Sequence, residues 1–536
     1  MVQIFVVLFK RYHTPITLYA LSQTGFRDSP KTANQIANET TKSLQIFNFF
    51  CVSETGLLQL RSSVGHPLID SNPFNRKPTM ATLSRLTCIL LCVSCFFSVN
   101  PCSFAQDTES NWQQFRGPTG NGVSTTAKPP VRWSGDSENL KWKTPIPGKG
   151  SSSPIVWGNH VYIMSAIDTG KPPTGEKEAT PPPTQTQGRP EDERPRGRFG
   201  RGKPPTTINQ FYLICLNRDD GTLEWKTKLT ESVPHEGKHS TNTFCSASPV
   251  TDGKHIYALF GSFGLFCVDI SGKLIWERDF GKMSTRNSFG EGASPALYKN
   301  KLAIIWDHEG DSFIETMDAN TGQTIWRKDR VEPTGWATPR IVEHDGRIQV
   351  IANATKVKSY DLADGSLLWE CGGQTGNPIP TPIILDDIAI CMTGFRNSAC
   401  YAIPLNSHGD ITDTDKILWN TRDIGPYVPS GVLYDGMLYG SKSSSAVLTA
   451  IDAKTGKTVI ETSRLNGIRS IYSSMVAADG HVFITGRSGK TIVLNHGKEL
   501  DIAATNDLGE AVDATPALAG KQIFIRGEKN LFCFED

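Results

Sequence analysis

The chain has 536 residues, which is enough for several domains or for one large repeat architecture. Its 55 Lys and Arg are balanced by 54 Asp and Glu, so no strong overall field would recruit nucleic acid or an anionic membrane. No window of about 18 uninterrupted apolar residues predicts a transmembrane span. The 48 Gly and 33 Pro, with Trp residues that recur at regular intervals, are typical of many short strands joined by turns.

The region before residue 106 predicts a leader for export. After Met80 a basic residue precedes a largely apolar run, Leu86–Val99, and small residues follow at Ser103 and Ala105. This order is that of a secretory signal peptide. The alternative is an apolar helix within a genuine N-terminal domain. We predict an exported protein of the periplasm or cell envelope with three segments: 1–79, upstream of the native start or disordered; 80–105, a signal peptide; and 106–536, the mature chain.

A first repeated pattern occurs eight times in the mature chain. It consists of a Ser or Thr, often followed by Pro, then an alternating strand, a tight turn and a second strand. From the second copy onward the starts are 46, 44, 43, 49, 44 and 41 residues apart, and the first interval of 95 contains an insertion. The eight copies start at Ser153, Ser248, Ser294, Thr338, Thr381, Ser430, Ser474 and Thr515.

A second pattern follows each copy of the first: an Asp, a Gly-containing turn and a strand that ends in Trp. Each unit therefore predicts four antiparallel strands, A to D. Short strands at this spacing, with a period of 41–49 residues, indicate a β-propeller. The copies are Asp269–Trp276, Asp318–Trp326 and Asp361–Trp369, looser versions ending at Trp225 and Trp419, a sixth without Trp (Asp452–Ile460) and a degenerate seventh (Leu494–Ile502).

The two ends of the mature chain complete one another. The last unit stops at Asp536 after three strands, while an unused strand ending in a tryptophan, Asn139–Trp142, precedes the first unit. Donating this strand to the last unit closes the ring and removes two sheet edges. We predict an all-β, eight-bladed β-propeller of four-stranded antiparallel blades, closed by the N-terminal strand. The tryptophans that we expect to pack between neighbouring blades are Trp142, Trp225, Trp276, Trp326, Trp369 and Trp419.

The repeat resembles the tryptophan-docking motif, Asp-x-x-Thr/Asp-Gly-x-x-x-Trp, of PQQ-type propellers. That group includes quinoprotein alcohol dehydrogenases and the outer-membrane assembly factor BamB. The head of the mature chain, with Trp112–Pro118 and Asn121-Gly122, is similar to that of exported PQQ-like repeat proteins of planctomycetes. The resemblance covers the mature chain and implies the fold. It leaves the function open, because one fold hosts many functions.

Seven cysteines lie in the mature chain, and an odd number leaves at least one thiol without an intramolecular partner. Cys215, Cys267 and Cys533 occupy the same position of one strand type, which favours buried, inert side chains. Cys391 and Cys400 flank a predicted hairpin turn and are the one pair with a case for a disulfide. No spacing of Cys and His is typical of a zinc site.

One face of the predicted propeller carries the irregular loops. The D–A and B–C loops emerge there, and loops on a rigid scaffold commonly carry function. We select polar and aromatic residues of this face as ligand-binding candidates. They are His235, His239, Arg286, Asn287, Glu291, Asp307, His308, Glu309, Asp311, Trp336, Gln374, Asn377 and Arg396.

An acidic turn in the third unit is the densest cluster of this set. Its carboxylates, at Asp307, Glu309 and Asp311, could hold a calcium ion, which takes hard oxygen ligands. A solvated turn with its glycine at positive φ is the interpretation that we favour. His235 and His239 have the spacing of zinc ligands only in a helix, and a Pro and a Gly beside them favour a loop. We therefore expect no metal site.

The insertion between strands B and C of the first unit, about 169–207, is Pro-rich and polar, which predicts disorder. Its end, Arg194–Lys203, carries five cations and no acid. This segment could contact nucleic acid or an acidic partner. We favour a solvated extension, because the rest of the chain is close to neutral.

Two functions from different classes compete. In the quinoprotein dehydrogenases, as the resemblance implies, PQQ lies between a Trp and a ring formed by two adjacent cysteines, with Glu, Asn and Asp binding calcium. This chain has no Cys-Cys dipeptide. We favour a non-catalytic, monomeric binding or assembly scaffold without a cofactor, which holds an envelope protein, peptide or glycan on its loop face. A PQQ- and calcium-dependent dehydrogenase is the alternative, and an envelope component that assembles through its blade rims is a third possibility.

Overall fold

Eight sheets follow one another along the described part of the chain. The computed structural model describes residues 110–136, 139–173 and 202–536, all within the unit Ser103–Asp536. The predictions for the leader and for the larger part of the insertion, 174–201, lie outside these residues. The innermost strands of neighbouring blades contact one another around the axis. The arrangement confirms the predicted all-β, eight-bladed propeller.

Strands A to D of a blade follow one another in the chain, except that the last blade takes its strand D from the N-terminus. Blade 1 has Ile155–Trp157, His160–Asp168, Asn209–Asn217 and Leu223–Ser232; blade 2 has Val250–Thr251, His255–Leu259, Leu265–Asp269 and Leu274–Arg278; blade 3 has Ala296–Tyr298, Lys301–Trp306, Phe313–Asp318 and Thr324–Asp329; blade 4 has Arg340–His344, Arg347–Ala352, Val357–Asp361 and Leu367–Cys371. Blade 5 has Ile383–Leu385, Ile388–Thr393, Ala399–Pro404 and Trp419–Thr421; blade 6 has Val432–Tyr434, Met437–Ser443, Val447–Asp452 and Thr458–Arg464; blade 7 has Val476–Ala478, His481–Thr485, Lys490–Asn495 and Asp501–Asp507; blade 8 has Ala517–Ala519, Gln522–Arg526, Asn530–Glu535 and Leu140–Pro145.

A few short elements lie outside this scheme. Gly409–Asp410 pairs in parallel with strand D of blade 4, and Gly425–Pro426 pairs in parallel with strand B of blade 6. Single 3-10 turns are formed by Gly261–Phe263 and Arg286–Ser288. In the described ranges, no helix has the length and apolar character needed to cross a membrane.

The N-terminal strand closes the ring as predicted. Leu140–Pro145 pairs antiparallel with Asn530–Glu535, and Trp142 lies opposite Cys533. The apolar core around this junction contains Trp142, Phe524 and Phe532, all buried. Both ends of the propeller are therefore held in one sheet, which leaves no blade with an open edge at the junction.

Five of the recurring tryptophans dock onto the next blade. Each indole N–H donates to a backbone carbonyl at the following C–D turn, at 2.9 to 3.1 Å. The indole ring lies against the glycine of that turn; at Gly322, with φ +69°, a Cβ would lie 2.8 Å from the ring of Trp276. This contact explains why the turn of the repeat contains Gly. The donor–acceptor pairs are Trp142–Arg218, Trp225–Ile270, Trp276–Ala319, Trp326–Leu362 and Trp419–Ala453.

Trp369 differs from the other five. Its indole N–H donates to Gln349 Oε1 at 3.2 Å, within its own blade. The side chain is fully buried and packs in a cluster with Ile351 of its own blade and with Ala389 and Ile403 of blade 5. It fills the space between blades 4 and 5 without the turn contact.

The register of the seventh copy corrects the sequence prediction. In blades 1 and 2 the docking tryptophan lies opposite a Cys, and a bulge follows immediately. The corresponding pair in blade 7 is Val493 and Ala504, with the bulge before Leu494. Ala504, rather than Ile502, therefore stands where the other blades have Trp. Ala504 is buried, whereas Ile502 is 44% exposed.

The proposed disulfide between Cys391 and Cys400 is wrong. They lie on the paired strands B and C of blade 5, where Cys391 is opposite Tyr401 and Cys400 is opposite Met392. Neighbouring positions of a strand point to opposite faces, and the two thiols are buried in different clusters. Both cysteines are free, as are Cys215, Cys267 and Cys533.

Candidate functional site

A ring of hydroxyl groups surrounds the propeller axis. The Ser or Thr that starts each repeat accepts a hydrogen bond from the backbone N–H of its counterpart in the preceding blade, at 2.9 to 3.1 Å. Seven of the eight links are formed; at the remaining one, the buried hydroxyl of Thr381 has no hydrogen-bond partner among the described residues. The Ser or Thr at the start of each repeat in the sequence is therefore explained by its place in this ring of hydroxyl groups.

A cavity of about 1080 Å³ lies on the axis next to this ring, on the side of the D–A loops. The residue two positions before the ring hydroxyl lines the cavity in every blade. These eight residues are Ser151, Ser246, Gly292, Trp336, Ile379, Val428, Tyr472 and Asp513.

The segment Trp112–Ser124 closes the other end of the axis. The backbone of Trp112 exchanges hydrogen bonds with Val156 in strand A of blade 1. The side chain of Asn121 does the same with the backbone of Ile384 in strand A of blade 5, at 2.7 and 3.0 Å. Blades 1 and 5 stand opposite each other in a ring of eight, so the segment crosses the axis. Phe115, which lies between these two anchors, lines the cavity from this side.

A buried arginine holds the crossing segment in shape. Arg116 donates to the carbonyls of Gly120, Asn121 and Gly431, the last at the start of strand A of blade 6. Burial, with a smaller effect of Arg340, lowers the pKa of Arg116 to about 9, so the guanidinium remains charged at neutral pH. These contacts account for the arginine in the Trp-Gln-Gln-Phe-Arg-Gly-Pro sequence at the head of the mature chain.

Two guanidinium groups of the cavity wall have no acidic partner. Arg286 Nη1 makes a long contact of 3.4 Å with Asn377 Oδ1, and Arg396 lies 5.1 Å from the centre of the Phe395 ring. Within the described ranges, no carboxylate forms an ion pair with either arginine. Both side chains are exposed to the open end of the cavity.

The carboxylates of the same cavity are already engaged. Glu291 accepts from the backbone N–H and the hydroxyl of Ser262, both at 2.6 Å, and burial raises its pKa to about 7. Asp513 forms a two-bond ion pair with Arg487 at 2.6 and 2.9 Å. Arg487 in turn stacks on Tyr472, 4.0 Å from the ring centre. The net charge of the cavity wall is therefore positive, because the two arginines outnumber Glu291, the carboxylate of the wall that has no cationic partner among the described residues.

Aromatic rings form much of the remaining wall. The indole of Trp336 is fixed by a hydrogen bond to the carbonyl of Gly290 at 2.6 Å, and Phe395 packs on Tyr427 with ring centres 5.2 Å apart. Rings next to guanidinium groups provide flat surfaces and polar tips for a ligand. The set comprises Phe115, Phe289, Trp336, Phe395, Tyr427 and Tyr472.

The structure brings seven of the thirteen predicted residues together in this cavity. They are His239, Arg286, Asn287, Glu291, Trp336, Asn377 and Arg396. The His239 ring accepts or donates at Thr241 Oγ1, 2.8 Å away, and burial lowers its pKa. The six predicted residues that do not line the cavity are His235, Asp307, His308, Glu309, Asp311 and Gln374.

The acidic turn of blade 3 does not converge on one point. Asp307 is buried and forms a two-bond ion pair with the buried Arg330, at 2.8 and 3.0 Å. Glu309 accepts from the backbone and hydroxyl of Thr334, and Asp311 is exposed. Asp307 and Glu309 are therefore engaged by separate partners, Arg330 and Thr334.

The other predicted residues outside the cavity have structural partners. The His308 Nδ1 accepts from the backbone N–H of Ser284 at 3.1 Å. Gln374 accepts from the hydroxyl of Thr393 at 2.8 Å. His235 contacts the carbonyl of Met283 at 2.7 Å beside a separate cavity of about 30 Å³, which has room for a water molecule or two.

The residues that line the cavity can be compared with those needed to hold PQQ and calcium, the cofactors that the resemblance implies. Calcium needs several oxygen ligands around one point, but Glu291 is held by Ser262 and Asp513 by Arg487, on different blades. The chain supplies no adjacent cysteines to form a ring over a quinone. The residues of the cavity therefore do not fit a PQQ group held by calcium in the manner of the dehydrogenases.

Sequence reasoning missed part of the wall. Tyr472 and Asp513 stand two positions before a ring hydroxyl, so the repeat itself contained the signal. Phe115 carried no such signal, because its position depends on how the head segment crosses the axis. Tyr427 stands three positions before its ring residue, in a loop whose path the pattern does not define.

Comparison with known proteins agrees with this architecture. A family model described as outer membrane protein assembly factor BamB matches residues 210–462. Quinohemoprotein alcohol dehydrogenase from Comamonas testosteroni is 10% identical with a TM-score of 0.52, covering 81% of each chain. A europium-containing methanol dehydrogenase is 9% identical with a TM-score of 0.53, covering 79% of this chain and 91% of the other. BamB from Moraxella catarrhalis is 14% identical with a TM-score of 0.44, covering 60% and 91%. A search of curated protein sequences gives no match.

The repeats, the docking tryptophans and these comparisons define the class, a closed propeller of eight blades with a cavity on its axis. Residues 210–462 match the BamB family model, so the repeats of this part of the propeller are of the PQQ-like, BamB type. The chain is related in fold both to BamB and to quinoprotein dehydrogenases.

Proposed function

We propose that the chain is an exported, non-catalytic binding scaffold of the cell envelope, which holds a carboxylate-bearing peptide or glycan in its axial cavity. The observation that carries the proposal is the pair Arg286 and Arg396. Among the described residues, neither forms an ion pair with a carboxylate; both stand among aromatic rings, while Glu291 is held by Ser262 and Asp513 by Arg487.

The chemistry of the wall suits such a ligand. A guanidinium donates two parallel hydrogen bonds to a carboxylate, and this geometry gives specificity as well as energy. The neighbouring rings of Phe395, Tyr427 and Trp336 offer surfaces for a sugar ring or an apolar side chain. Small-molecule pockets span about 300 to 1,000 Å³, so a cavity of about 1080 Å³ has room for an oligosaccharide or a peptide loop.

The match to the BamB family model supports an envelope location, because the description of that model names an outer-membrane assembly factor. The predicted leader at 80–105 would place the propeller outside the cytoplasm. The same description, of an assembly factor, favours a scaffold over an enzyme.

Calorimetry with defined ligands tests the proposal. A panel of carboxylated oligosaccharides, acidic peptides and their neutral analogues is titrated into the wild type and into R286Q/R396Q. The control, K328Q/R464Q, removes two exposed cations from the outer strands D. We expect at least one acidic ligand to lose about tenfold or more in affinity in R286Q/R396Q, since charge-assisted hydrogen bonds contribute about 1.5–3 kcal/mol each. Equal affinities in all three proteins would refute the role of the arginines.

The alternative function is a quinoprotein dehydrogenase, which the fold likeness to two such enzymes favours. PQQ and calcium added to the purified protein test it directly. We expect no saturable change in PQQ absorbance and no dye-linked oxidation of alcohols. A saturable change together with oxidation would replace the scaffold proposal by the enzyme.

A further inference from the structure

A second group of chemistry-bearing side chains lies in blade 1, away from the axial cavity. Among the described residues, His160, Cys215 and Glu224 each bring one ligand atom within 4.8 Å of the others. They belong to strands B, C and D of one sheet. His160 Nε2 lies 3.0 Å from Glu224 Oε2, and Cys215 Sγ lies 3.7 Å from the same oxygen.

These separations are close to those around a tetrahedral metal ion. Zinc binds nitrogen and oxygen at about 2.0–2.2 Å and sulfur at about 2.3 Å, which separates neighbouring ligand atoms by about 3.4–3.6 Å. The His160–Glu224 and Cys215–Glu224 separations differ from these values by a few tenths of an ångström, and the His160–Cys215 separation is at most 4.8 Å. The set of imidazole, thiolate and carboxylate is one that zinc accepts, whereas calcium and magnesium prefer oxygen alone.

Blade 2 provides an internal comparison. His255 and Cys267 occupy the strand positions of His160 and Cys215, but Ile275 stands where blade 1 has Glu224. The imidazole of His255 is held by Asp252 at 3.2 Å. The three-ligand set is therefore particular to blade 1, and it does not follow from the repeat.

An unpartnered hydroxyl beside the cluster is a second observation. The Tyr162 hydroxyl is buried and has no hydrogen-bond partner among the described residues. The ring of Tyr162 lies next to that of His160, with ring centres 5.9 Å apart. In blade 2 the corresponding Tyr257 donates to Asp252 at 3.3 Å, and blade 1 has Trp157 in place of that aspartate. A water molecule bound to an ion in this pocket would give the hydroxyl an acceptor.

We propose that His160, Cys215 and Glu224 form a zinc site whose fourth position is open to water or to a donor from a partner molecule. Glu224 and His160 are partly exposed, so the ion has a path from solvent. Cys215 is fully buried, and binding releases the proton of its thiol. The site lies beside the docking residue Trp225, so the ion would stabilise the contact between blades 1 and 2.

Cobalt as a spectroscopic substitute tests the site in the full-length mature protein. One equivalent of Co²⁺ should give a thiolate-to-cobalt charge-transfer absorption and the visible bands of a tetrahedral complex. C215A should abolish the absorption. E224Q keeps the shape of the side chain but removes the charge of a ligand. It should weaken metal binding about tenfold or more, because replacing residues that only hydrogen-bond to metal ligands already lowers metal affinity by about that factor. C267A removes the matched thiol of blade 2 and should leave the spectrum unchanged.

A thermal measurement with zinc gives an independent readout. A ligand that binds only the folded state raises the melting temperature, so zinc should stabilise the wild type and C267A but not C215A. Circular dichroism without metal confirms that each variant folds. The proposal would be overturned if the wild type gave no charge-transfer absorption or if C215A kept it. It would also be overturned if C267A lost the absorption as completely as C215A.

Discussion

Glu291 is the residue of the cavity whose charge changes nearest to neutral pH. Burial raises its pKa to about 7, although two hydrogen bonds from Ser262 favour the anion, and Glu236 nearby adds to the increase. Above that pH the carboxylate is charged and opposes an anionic ligand; below it the group is neutral. Burial lowers the pKa of His239, so its imidazole takes up a proton less readily than a free one.

The affinity of the cavity for an anionic ligand should therefore rise as the pH falls from about 8 to about 6. We expect a several-fold increase in the wild type, measured by calorimetry at each pH. E291Q removes the titrating group and should bind nearly independently of pH across this interval. The same slope in both proteins would show that another group controls binding.

At the scale of residues, the sequence predicts which loop residues lie near the axial cavity better than it predicts which contacts their side chains make. Arg286, Trp336 and Arg396 were selected as loop residues, and the structure places them in one wall. Asp307 was selected on the same grounds, but its buried partner Arg330 lies 23 residues further along the chain. The sequence of the loop alone does not show this distant partner. Sequence reasoning therefore predicts an exposed Asp307, whereas the folded chain buries it.

At the scale of elements, the hydroxyl ring links strand A of each blade to the next. The ring offers a matched pair, because Thr515 Oγ1 accepts from the backbone N–H of Ser474 at 3.0 Å, whereas Thr381 Oγ1 has no hydrogen-bond partner in the part of the chain that the structure describes. T515A leaves a buried N–H unsatisfied and should lower the free energy of unfolding by about 1–3 kcal/mol. T381A removes a hydroxyl that makes no such bond and should cost less. Urea denaturation of both variants measures the difference, and equal losses would mean that the ring bonds do not stabilise the fold.

The repeat predicted strands and turns because their periodicity and turn residues are local. It did not predict the zinc ligands proposed in blade 1, because His160 and Cys215 are separated in the chain by the insertion. Only the pairing of strands B, C and D brings them together. The wrong assignment of Ile502 instead of Ala504 in blade 7 has a local cause, since Val493 and Ala504 are 11 positions apart, whereas the corresponding pairs in blades 1 and 2 are 10 and 9 positions apart.

At the scale of the whole molecule, closure of the ring holds the first strand of the propeller, Leu140–Pro145, as firmly as a strand D within any other blade. Trp142 docks on blade 1 with the same hydrogen bond that Trp276 makes on blade 3. Terminal strands usually fray, but a closed ring should make W142A as damaging as W276A, about 3–5 kcal/mol each. Chemical denaturation of the two variants compares them. A nearly neutral W142A would mean that the N-terminal strand does not hold the ring.

The number of blades and their closure could be predicted because the count of repeats and the surplus strand at Trp142 are visible in the sequence. The closed end of the axis could not. The segment Trp112–Ser124 contacts blades 1 and 5 through single side chains and backbone groups that have no periodicity. The cavity thus results from the assembled molecule rather than from any one repeat.

Photocrosslinking in the native envelope tests the central claim, that the axial cavity holds a partner through Arg286 and Arg396. A photoreactive benzoylphenylalanine replaces Phe395 in the cavity wall or, as a control, Ile325 on the exposed outer strand of blade 3. We predict a discrete product from position 395 that is absent from position 325, disappears in R286Q/R396Q and persists in K328Q/R464Q. A product that forms equally at both positions, or that is indifferent to the two arginines, would contradict the proposed binding site.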